Sequence, residues 1–218
     1  MLSDSAKDSQ KFQQMLAYEQ ELYEQGYNSI AGTDEAGRGP LAGPVVAAAV
    51  ILDLNQIIDG IDDSKKLSPT CRESLFKKIR QKSIAYGVGI ISNDIIDKIN
   101  ILQASMEAMK QAVINLPVKP DFLLIDGNYF PNINLPMKAI KSGDSLSMSI
   151  AAASIIAKVT RDRIMQDFDS KHPQYGFAKN KGYPTKEHIQ KLEKYGPCKI
   201  HRKSFAPVAE RLFPFMYS

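Results

Sequence analysis

Two adjacent carboxylates, Asp34 and Glu35, give this chain its clearest capacity for chemistry. They follow the mostly apolar residues 30–33 and precede a Gly-Arg-Gly loop at residues 37–39. Buried carboxylates are costly unless a positive group meets them, and a divalent metal ion is the leading candidate because hard cations take oxygen ligands. The glycines leave no side chain between the backbone and a ligand, which suits the close approach of a polymer substrate.

Two more carboxylates stand where elements are expected to end or begin. Asp126 ends the apolar run Leu-Leu-Ile, and Asp144 precedes a segment rich in alanine and serine. Three or four carboxylates on neighbouring strands, without histidine, suit Mg²⁺ or Mn²⁺ rather than zinc. Two such ions about 4 Å apart would activate a water and stabilise the leaving oxygen in an in-line displacement at a phosphodiester.

Each carboxylate also has a simpler interpretation. The Asp34–Glu35 pair could form a solvated turn, and Asp126–Gly127 is a common turn sequence. Either Asp144 or Ser145 could cap the helix that follows them. A competing pair, Asp62–Asp63, lies in a polar loop away from any strand end, and we interpret it as surface. The joint placement of the four carboxylates with the Gly-Arg-Gly loop favours a catalytic site.

The apolar pattern predicts the elements that must position these groups. Strands are predicted at residues 28–34, 45–52, 84–91, 121–126 and 137–140. Helices are predicted at residues 12–23, 69–82, 93–116 (one or two helices), 146–168 and 185–195, with a basic loop at 171–183. Because three strands come first and helices alternate with strands afterwards, we expect antiparallel and then parallel pairing in one mixed α/β sheet.

Three local expectations accompany this order. Adjacent side chains on a regular strand point to opposite faces, so Asp34 and Glu35 can share a site only if the first strand ends or twists there. The helix at residues 12–23 is interpreted as a surface helix with only a packing role. The apolar residues of the tail, Phe205, Leu212, Phe213 and Phe215, are expected to pack back onto the fold.

Composition bounds the class of protein. The 218 residues carry a net charge of +4, but residues 1–27 sum to 2 − 5 = −3 and residues 158–211 to 13 − 6 = +7. The basic segment fits nucleic-acid binding, but on charge alone a solvated basic surface is the favoured interpretation. The 2 cysteines and 3 histidines show neither a disulfide framework nor zinc spacing. Residues 1–11 are polar and no apolar run spans a membrane, so we expect a cytoplasmic protein without a signal peptide.

Six stretches together resemble a known family. They are G-T-D-E-A-G-R-G-P-L-A-G-P-V-V-A-A-A-V at residues 32–50, D-D-S-K-K-L-S at 62–68, L-L-I-D-G at 123–127, K-S-G-D-S-x-S-x-S-I-A-A-A-S-I-I-A-K-V-x-R-D at 141–162, H-P-x-Y-G-F-x-x-N-K-G-Y-P-T at 172–185 and Y-G-P-x-x-x-H-R-x-S-F at 195–205. The chain resembles the type 2 ribonucleases H, the bacterial ribonuclease HII family. The first and fourth stretches are long and specific, and all six occur in order.

The resemblance implies an α/β fold, a ribonuclease H-like mixed sheet flanked by helices with a C-terminal helical extension. It divides the chain into an N-terminal tail and helix (1–27), a catalytic core (28–170), and a basic loop with helical extension of the same domain (171–218). It implies cleavage of RNA in RNA–DNA hybrids and incision 5′ of single ribonucleotides in duplex DNA, using Mg²⁺ or Mn²⁺. We expect a monomer with no membrane partner.

The resemblance also assigns roles to residues. Asp34, Glu35, Asp126 and Asp144 match the metal-binding carboxylates. Gly37, Arg38 and Gly39 match the loop that reads the ribose 2′-hydroxyl and holds the adjacent phosphate. Tyr183 matches an aromatic that stacks on the sugar at the junction, and Lys65 a phosphate contact. Without the family, a buried aromatic would be the simpler interpretation of Tyr183.

Two other functions remain open from the sequence. The chain could be a different two-metal nuclease or strand-transfer enzyme on the same fold, although the Gly-Arg-Gly loop beside Asp34 and Glu35 disfavours it. It could also bind nucleic acid without catalysis, which predicts a missing carboxylate, and none is missing.

Overall fold

The computed structural model describes residues 13–56 and 58–212. Its strands are β1 (Ile30–Ala36), β2 (Val45–Leu52), β3 (Ser83–Ile91), β4 (Phe122–Asp126) and β5 (Met137–Ile140). They form a five-stranded sheet in the order β3-β2-β1-β4-β5. The pairs β1–β2 and β2–β3 are antiparallel, and β1–β4 and β4–β5 are parallel. The predicted mixed sheet is therefore confirmed.

Helices cover both faces of this sheet. The helices of the described residues are α1 (Ala17–Glu24), α2 (Pro69–Lys82), α3 (Asn93–Ile114), α4 (Met148–Lys171), α5 (Phe177–Asn180), α6 (Lys186–Tyr195) and α7 (Ala206–Leu212), of which α1 to α4 pack on the sheet. One core lies between the sheet and α2 with α4, and a second lies between the sheet and α3. Within the described residues, no helix is both long and apolar enough to cross a membrane.

The centre of the sheet follows directly from the apolar run at residues 45–52. All 8 residues of β2 are buried, because β1 and β3 flank the strand and helices cover both of its faces. Such a strand has no solvent-facing side, so its sequence is continuously apolar rather than alternating.

Helix α4 packs closely on β1, and this contact sets the distance between the helix and the sheet. A Cβ on Gly32 would lie 2.2 Å from the main-chain carbonyl carbon of Ser149, so only glycine at position 32 lets the start of α4 reach the sheet. The small residues of the first half of α4, Ala151, Ala152 and Ala153, are fully buried at this contact. The start of α4 is thereby placed beside the carboxyl ends of β1 and β4.

The end of β1 differs from its prediction. The strand was expected to end at residue 34, but it continues to Ala36 and stays paired with β2 through Ala36 and Val46. The parallel partner ends sooner, because pairing between β1 and β4 stops at Thr33 and Ile125. Residues 34–36 therefore have a neighbouring strand on one side only.

Two segments differ in detail from their predictions. The segment α3, predicted as one or two helices, consists of two helices that meet at Asn100, whose φ of 66° is not helical. The Asn100 Oδ1 atom accepts from the N–H groups of Leu102 and Gln103, which starts the second helix. The predicted basic loop at 171–183 contains the end of α4, a 3-10 turn (Pro173–Tyr175) and α5. The polar composition of this segment is typical of a loop, so these short elements were not predicted from the sequence.

The C-terminal part packs back as expected where it is described. Phe205 and Leu212 contact a small core formed by Leu41, Leu192 and Val208. The prediction for Phe213 and Phe215 lies outside the described residues.

Candidate active site

A cleft of about 370 Å³ opens at the sheet edge where β4 ends. It gathers most of the residues singled out in the sequence. Its lining comprises Asp34, Glu35, Ala36, Gly37, Arg38, Gly39, Ser64, Lys65, Asp126, Ser154, Lys158, Arg161 and Tyr183.

Asp34 and Glu35 reach this cleft from opposite faces of the sheet. Asp34 is in register with Ala48, which belongs to the core under α4, and Glu35 is in register with Ala47, which belongs to the core under α3. Cross-strand partners share a face, so the two carboxylates diverge as a regular strand requires. They still line one cleft because β4 ends beside them and leaves that edge open.

Asp126 and Asp144 meet at the next strand. Asp126 ends β4, and its Oδ1 atom accepts from the N–H of Gly143 at 2.6 Å. Asp144 lies in the 3-10 turn Gly143–Ser145 and is buried. The cap of α4 is Ser147, whose Oγ atom accepts from the N–H of Ile150 at 3.3 Å. The interpretation of Asp144 as the helix cap is therefore wrong.

The carboxylates destabilise one another's charges. Burial raises the pKa of Asp34 well above its usual value, and the nearby charges of Glu35 and Asp126 raise it further. Burial also raises the pKa of Glu35, although Arg38 opposes the shift. The pKa of Asp126 is raised by burial and then by Asp144. A cluster that resists full ionisation is an environment that favours a bound cation.

Two side-chain cations already approach this cluster. Lys65 Nζ donates to Asp144 Oδ2 at 3.0 Å, and Arg38 Nη1 donates to Glu35 Oε1 at 3.3 Å. Burial alone would lower the pKa of Lys65, but the hydrogen bond and charge of Asp144 raise it overall. In residues 13–56 and 58–212, no three His, Cys, Asp or Glu side chains already converge as metal ligands. The carboxylates are therefore close together but turned to other partners.

The loop that carries Lys65 is fixed beside the cluster. Asp63 Oδ1 accepts from the main-chain N–H of Lys65 at 2.9 Å, and the Ser64 and Ser154 hydroxyls share a buried hydrogen bond of 2.9 Å. Asp63 thus stabilises the conformation of the loop through this hydrogen bond and is more than a solvated surface residue. Through Ser64 the loop is held against α4.

The Gly-Arg-Gly loop is held from behind by a buried arginine. Arg202 donates to the carbonyl oxygens of Gly37 at 2.6 Å, Arg38 at 2.9 Å and Gly43 at 3.0 Å. Burial, with the neighbouring charge of Arg161, lowers the pKa of Arg202 to about 9, so the guanidinium stays charged at neutral pH. Its planar set of donors suits a backbone that presents several carbonyls together.

Arg161 of α4 is the second buried clamp. It donates to the carbonyl oxygens of Ala42, Pro44 and Lys181. A Cβ on Gly37, whose φ is 100°, would lie 2.0 Å from Arg161 Nε. The glycine at position 37 is thus required both by its backbone conformation and by the packed guanidinium.

Tyr183 lies at the mouth of the cleft. Its side chain is 42% exposed, so its interpretation as a buried aromatic is wrong. The ring atom Cε1 is 3.6 Å from the position that a Cβ on Gly39 would occupy. An exposed aromatic face therefore stands beside the Gly-Arg-Gly loop.

A family profile described as ribonuclease HII matches residues 31–208, which include every candidate site residue. The chain belongs to the ribonuclease HII family. It is accordingly a ribonuclease H, an endonuclease. A ribonuclease HII of Acetivibrio thermocellus is 56% identical over 199 residues, covering 91% of this chain and 78% of the relative.

Solved structures agree on the fold. The crystal structure of ribonuclease H2 from Pyrococcus horikoshii OT3 matches with a TM-score of 0.73 and 29% identity, covering 88% of this chain and 100% of that chain. The crystal structure of Bst-RNase HIII in complex with Mn²⁺ matches with a TM-score of 0.66 and 19% identity, covering 87% of this chain and 71% of that chain. The mixed sheet flanked by helices is therefore ribonuclease H-like, as expected.

The N-terminal helix of this ribonuclease HII contributes more than packing. Glu19 on α1 is 2% exposed, and its Oε1 atom accepts from Ser147 Oγ at 2.6 Å, Ser149 N at 3.0 Å and Ser149 Oγ at 2.5 Å. A carboxylate at a helix N-terminus is favoured by the helix dipole and the free N–H groups. Glu19 thus fixes the start of α4, three residues after Asp144.

Sequence reasoning missed Glu19, Arg161 and Arg202. Each is a charged residue that the sequence alone places on the surface by default. Arg161 and Arg202 lie within the family stretches at 141–162 and 195–205. Their place in those stretches is the one sequence signal that could have indicated a role for them. Glu19 lies outside every stretch, and only the contacts of α1 reveal it.

Proposed function

We propose that this enzyme cleaves the RNA strand of RNA–DNA hybrids and incises duplex DNA on the 5′ side of a single ribonucleotide, leaving 3′-hydroxyl and 5′-phosphate ends. One observation carries the proposal: a single cleft joins the carboxylates Asp34, Glu35 and Asp126 to the Gly-Arg-Gly loop and Tyr183. Asp144 adjoins it through Lys65. Acidic groups that can hold a metal thus lie beside groups that can read a sugar.

The donor set fits a hard divalent cation. We infer that Asp34, Glu35, Asp126 and Asp144 would hold Mg²⁺ or Mn²⁺, in a site for two ions, after the carboxylates rotate away from Arg38 and Lys65. The raised pKa values of Asp34, Glu35 and Asp126 support this, because an electrostatically strained carboxylate cluster gains from a cation. The Mn²⁺ in the Bst-RNase HIII structure is consistent with it. When bound, such ions supply Lewis-acid charge and an activated water for in-line displacement.

The protein's own cations would hold the substrate. Arg38 and Lys65 have exposed side chains whose present partners are Glu35 and Asp144. Once cations satisfy those carboxylates, both side chains become available for phosphate. The planar guanidinium of Arg38 can donate two hydrogen bonds to one phosphate, and Lys65 acts as a point charge.

Selection for ribonucleotides is assigned to the Gly-Arg-Gly loop and Tyr183. The 2′-hydroxyl is the sugar group that distinguishes RNA from DNA. Because Gly37 and Gly39 carry no side chain and Arg202 fixes the loop carbonyls, the backbone can approach that hydroxyl in a set orientation. Tyr183 would stack on the next sugar, where a second 2′-hydroxyl would spoil the fit, so an RNA-to-DNA step is preferred.

The basic C-terminal part would hold the duplex. The segment 158–211 carries 13 − 6 = +7 charges, and Lys158 lines the cleft. We infer that, of the predicted extension at residues 171–218, the described part up to residue 212 continues the catalytic core, residues 28–170, and that the phosphate backbone lies along it. The contacts of Arg161 with Ala42 and Lys181 support treating both parts as one unit.

The experiment is cleavage of three matched duplexes: one with a single embedded ribonucleotide, one RNA–DNA hybrid and one all-DNA control, each with Mg²⁺, Mn²⁺ or chelator. We expect cleavage of the first two with either metal, no cleavage of the third, and none with chelator. Asp126→Asn should lose most activity yet keep its folded circular-dichroism spectrum. Cleavage of the all-DNA duplex, or wild-type turnover by Asp126→Asn, would overturn the proposal.

A further inference from the structure

Two buried histidines behind Tyr183 have no role in the chemistry above. His188 on α6 and His201 are both fully buried, and they pack against the rings of Tyr175 and Phe177. The ring centroids are 5.0 Å apart for Tyr175 and His201 and 5.5 Å apart for Phe177 and His188. Neither imidazole is among the residues that line the cleft, so any role in cleavage must act through another residue.

Hydrogen bonds connect the two rings to Tyr183. The main-chain N–H of Cys198 donates to His201 Nδ1 at 2.9 Å. His201 Nε2 and His188 Nε2 are 3.1 Å apart, and His188 Nδ1 is 2.8 Å from the carbonyl oxygen of Tyr183. The Tyr183 carbonyl also accepts from its near neighbour Thr185, but the bond from His188 is the one that continues to His201 and so to the segment around residue 201.

One placement of protons satisfies every bond. A main-chain N–H can only donate, so His201 Nδ1 accepts, and the neutral ring carries its proton on Nε2. That proton is donated to His188 Nε2, so His188 carries its own proton on Nδ1 and donates it to Tyr183. Burial lowers the pKa of His188, and burial, together with the repulsion that a second imidazolium at His188 would add, lowers the pKa of His201 to about 4. Both rings are therefore neutral at physiological pH.

The same segment also fixes the other half of the cleft. His201 is followed by Arg202, which binds the carbonyl oxygens of Gly37 and Arg38. His201 itself is bridged to Ala42, just after the Gly-Arg-Gly loop. The dipeptide His201–Arg202 therefore connects to the loop through its arginine and to Tyr183 through its histidine.

We propose that His188 and His201 are positioning residues, which set the main chain of Tyr183 at a fixed distance from the Gly-Arg-Gly loop so that the two act as one sugar-reading unit. The proposal rests on the proposed role of Tyr183. It predicts that the histidines matter most where a single sugar junction must be recognised, and least where a long hybrid offers many equivalent sites.

The variants separate the hydrogen bond from the volume of the ring. His188→Leu removes the bond, whereas His188→Asn retains an N–H near the position of Nδ1. His172→Asn is the matched control, because His172 also contacts the Tyr175 ring, with centroids 6.5 Å apart, but takes no part in the bonds to Tyr183. Each variant is assayed on the embedded-ribonucleotide duplex and on the long hybrid, alone and combined with Tyr183→Ala.

We expect His188→Leu to lower cleavage of the embedded ribonucleotide about 3- to 10-fold more than cleavage of the hybrid, as the loss of one hydrogen bond suggests. His188→Asn should restore most of this preference, and His172→Asn should not change it. In the Tyr183→Ala background, His188→Leu should add no further loss of preference. If the losses of preference from His188→Leu and Tyr183→Ala add, the positioning role is overturned. If Tyr183→Ala by itself leaves the preference for the embedded ribonucleotide unchanged, the role of Tyr183 is overturned, and the proposal fails with it.

Nitrogen-15 NMR of the imidazoles tests the geometry without any substrate. We expect neutral rings at pH 7 with the proton on Nε2 of His201 and on Nδ1 of His188. The opposite tautomers, or a charged ring, would overturn the proposal even if the enzyme cleaves as proposed. If His188→Leu does not fold, His188→Asn and the NMR measurement still decide the question.

Discussion

Asp34 and Glu35 are consecutive residues of β1 that face opposite sides of the sheet, yet both line one cleft. The relationship depends on β4, which stops pairing with β1 at Thr33 and exposes the edge beyond it. The active site is thus built from the unequal lengths of two neighbouring strands. Arg38 and Lys65 each pair with one carboxylate of the cluster, yet the pKa values of Asp34, Glu35 and Asp126 remain raised, so the cluster retains repulsion that a bound cation would relieve.

Asp34→Asn should stabilise the metal-free protein at neutral pH. The folded-state pKa of Asp34 is raised, so the folded state binds the proton more tightly than the unfolded chain does, and stability falls as pH rises from about 4 towards 7. The asparagine removes this loss, and its advantage should shrink on acidification to about pH 4.

Thermal unfolding with chelator from pH 4 to 8 measures the effect. The control is Asp59→Asn, which removes the same charge from an exposed loop residue and should give no comparable gain. An Asp34→Asn protein that is less stable than the wild type at pH 7 would show that the carboxylate is not under repulsion.

Gly37→Ala should cost both stability and activity. The new methyl would collide with Arg161 Nε, and Arg161 cannot retreat because its guanidinium holds three carbonyl oxygens. Overpacking of about 1–3 kcal/mol would add to about 1 kcal/mol of backbone strain. Urea unfolding and cleavage assays measure both effects.

Gly26→Ala is the matched control for that substitution. Gly26 has a φ of 95°, close to that of Gly37, but a Cβ there meets nothing within 4 Å. It should therefore show the strain alone, about 1 kcal/mol, with normal cleavage. Equal destabilisation of Gly37→Ala and Gly26→Ala would mean that the Arg161 side chain moves to accommodate the methyl group, so that it does not hold the loop rigidly.

Glu19→Ala should destabilise the protein by about 1–3 kcal/mol, because the hydroxyls of Ser147 and Ser149 lose their buried acceptor. Cleavage should also fall, since the start of α4 supports the turn that holds Asp144. Glu21→Ala on the same helix removes an exposed carboxylate and should change neither property. Chemical denaturation measures the stability of both variants, and cleavage of the hybrid measures their activity. Wild-type stability and activity in Glu19→Ala would show that α1 has only a packing role.

Binding of a hybrid by the inactive Asp126→Asn protein should weaken steeply with salt, because each phosphate contact releases counterions. Lys158→Ala in this background should reduce the slope of log K against log [salt] by about one contact, that is by about 0.9. Lys78→Ala, which removes an exposed cation from α2, should leave the slope unchanged. Binding titrations at several salt concentrations measure this slope. An affinity that does not depend on salt would contradict the proposal that residues 158–211 bind the phosphate backbone.

The sequence predicted those parts of the fold that periodicity controls. The continuous apolar run of β2 and the strand before Asp126 were recognisable because burial dictates residue type. The end of β1 was not, because the strand continues for as long as it pairs with β2, through Ala36 and Val46, and that pairing is not a local property of residues 34–36. The cap of α4, Ser147, was not predicted, because Asp144 and Ser145 are also polar residues close to the helix start and the sequence offered them as the alternative caps.

The candidate site was predictable where residue types themselves are chemical. Asp34, Glu35 and Asp126 stand out because acidic residues at the ends of apolar strands are not needed for packing, and the Gly-Arg-Gly sequence stands out because it closely follows two of them. Glu19, Arg161 and Arg202 do not, because a buried charge is identified by its hydrogen-bond partners, which belong to distant segments. The exposure of Tyr183 likewise follows from the packing of α5 and α6 and not from its neighbours in sequence.

The most direct measurement is the chemical mapping of product ends from a duplex with one embedded ribonucleotide. If the carboxylate cluster directs water to the phosphodiester, the break lies on the 5′ side of the ribonucleotide, with a 3′-hydroxyl on the upstream fragment and a 5′-phosphate on the ribonucleotide. A 2′,3′-cyclic phosphate on the ribonucleotide, with a 5′-hydroxyl on the next nucleotide, would show attack by the 2′-hydroxyl itself and would contradict this mechanism.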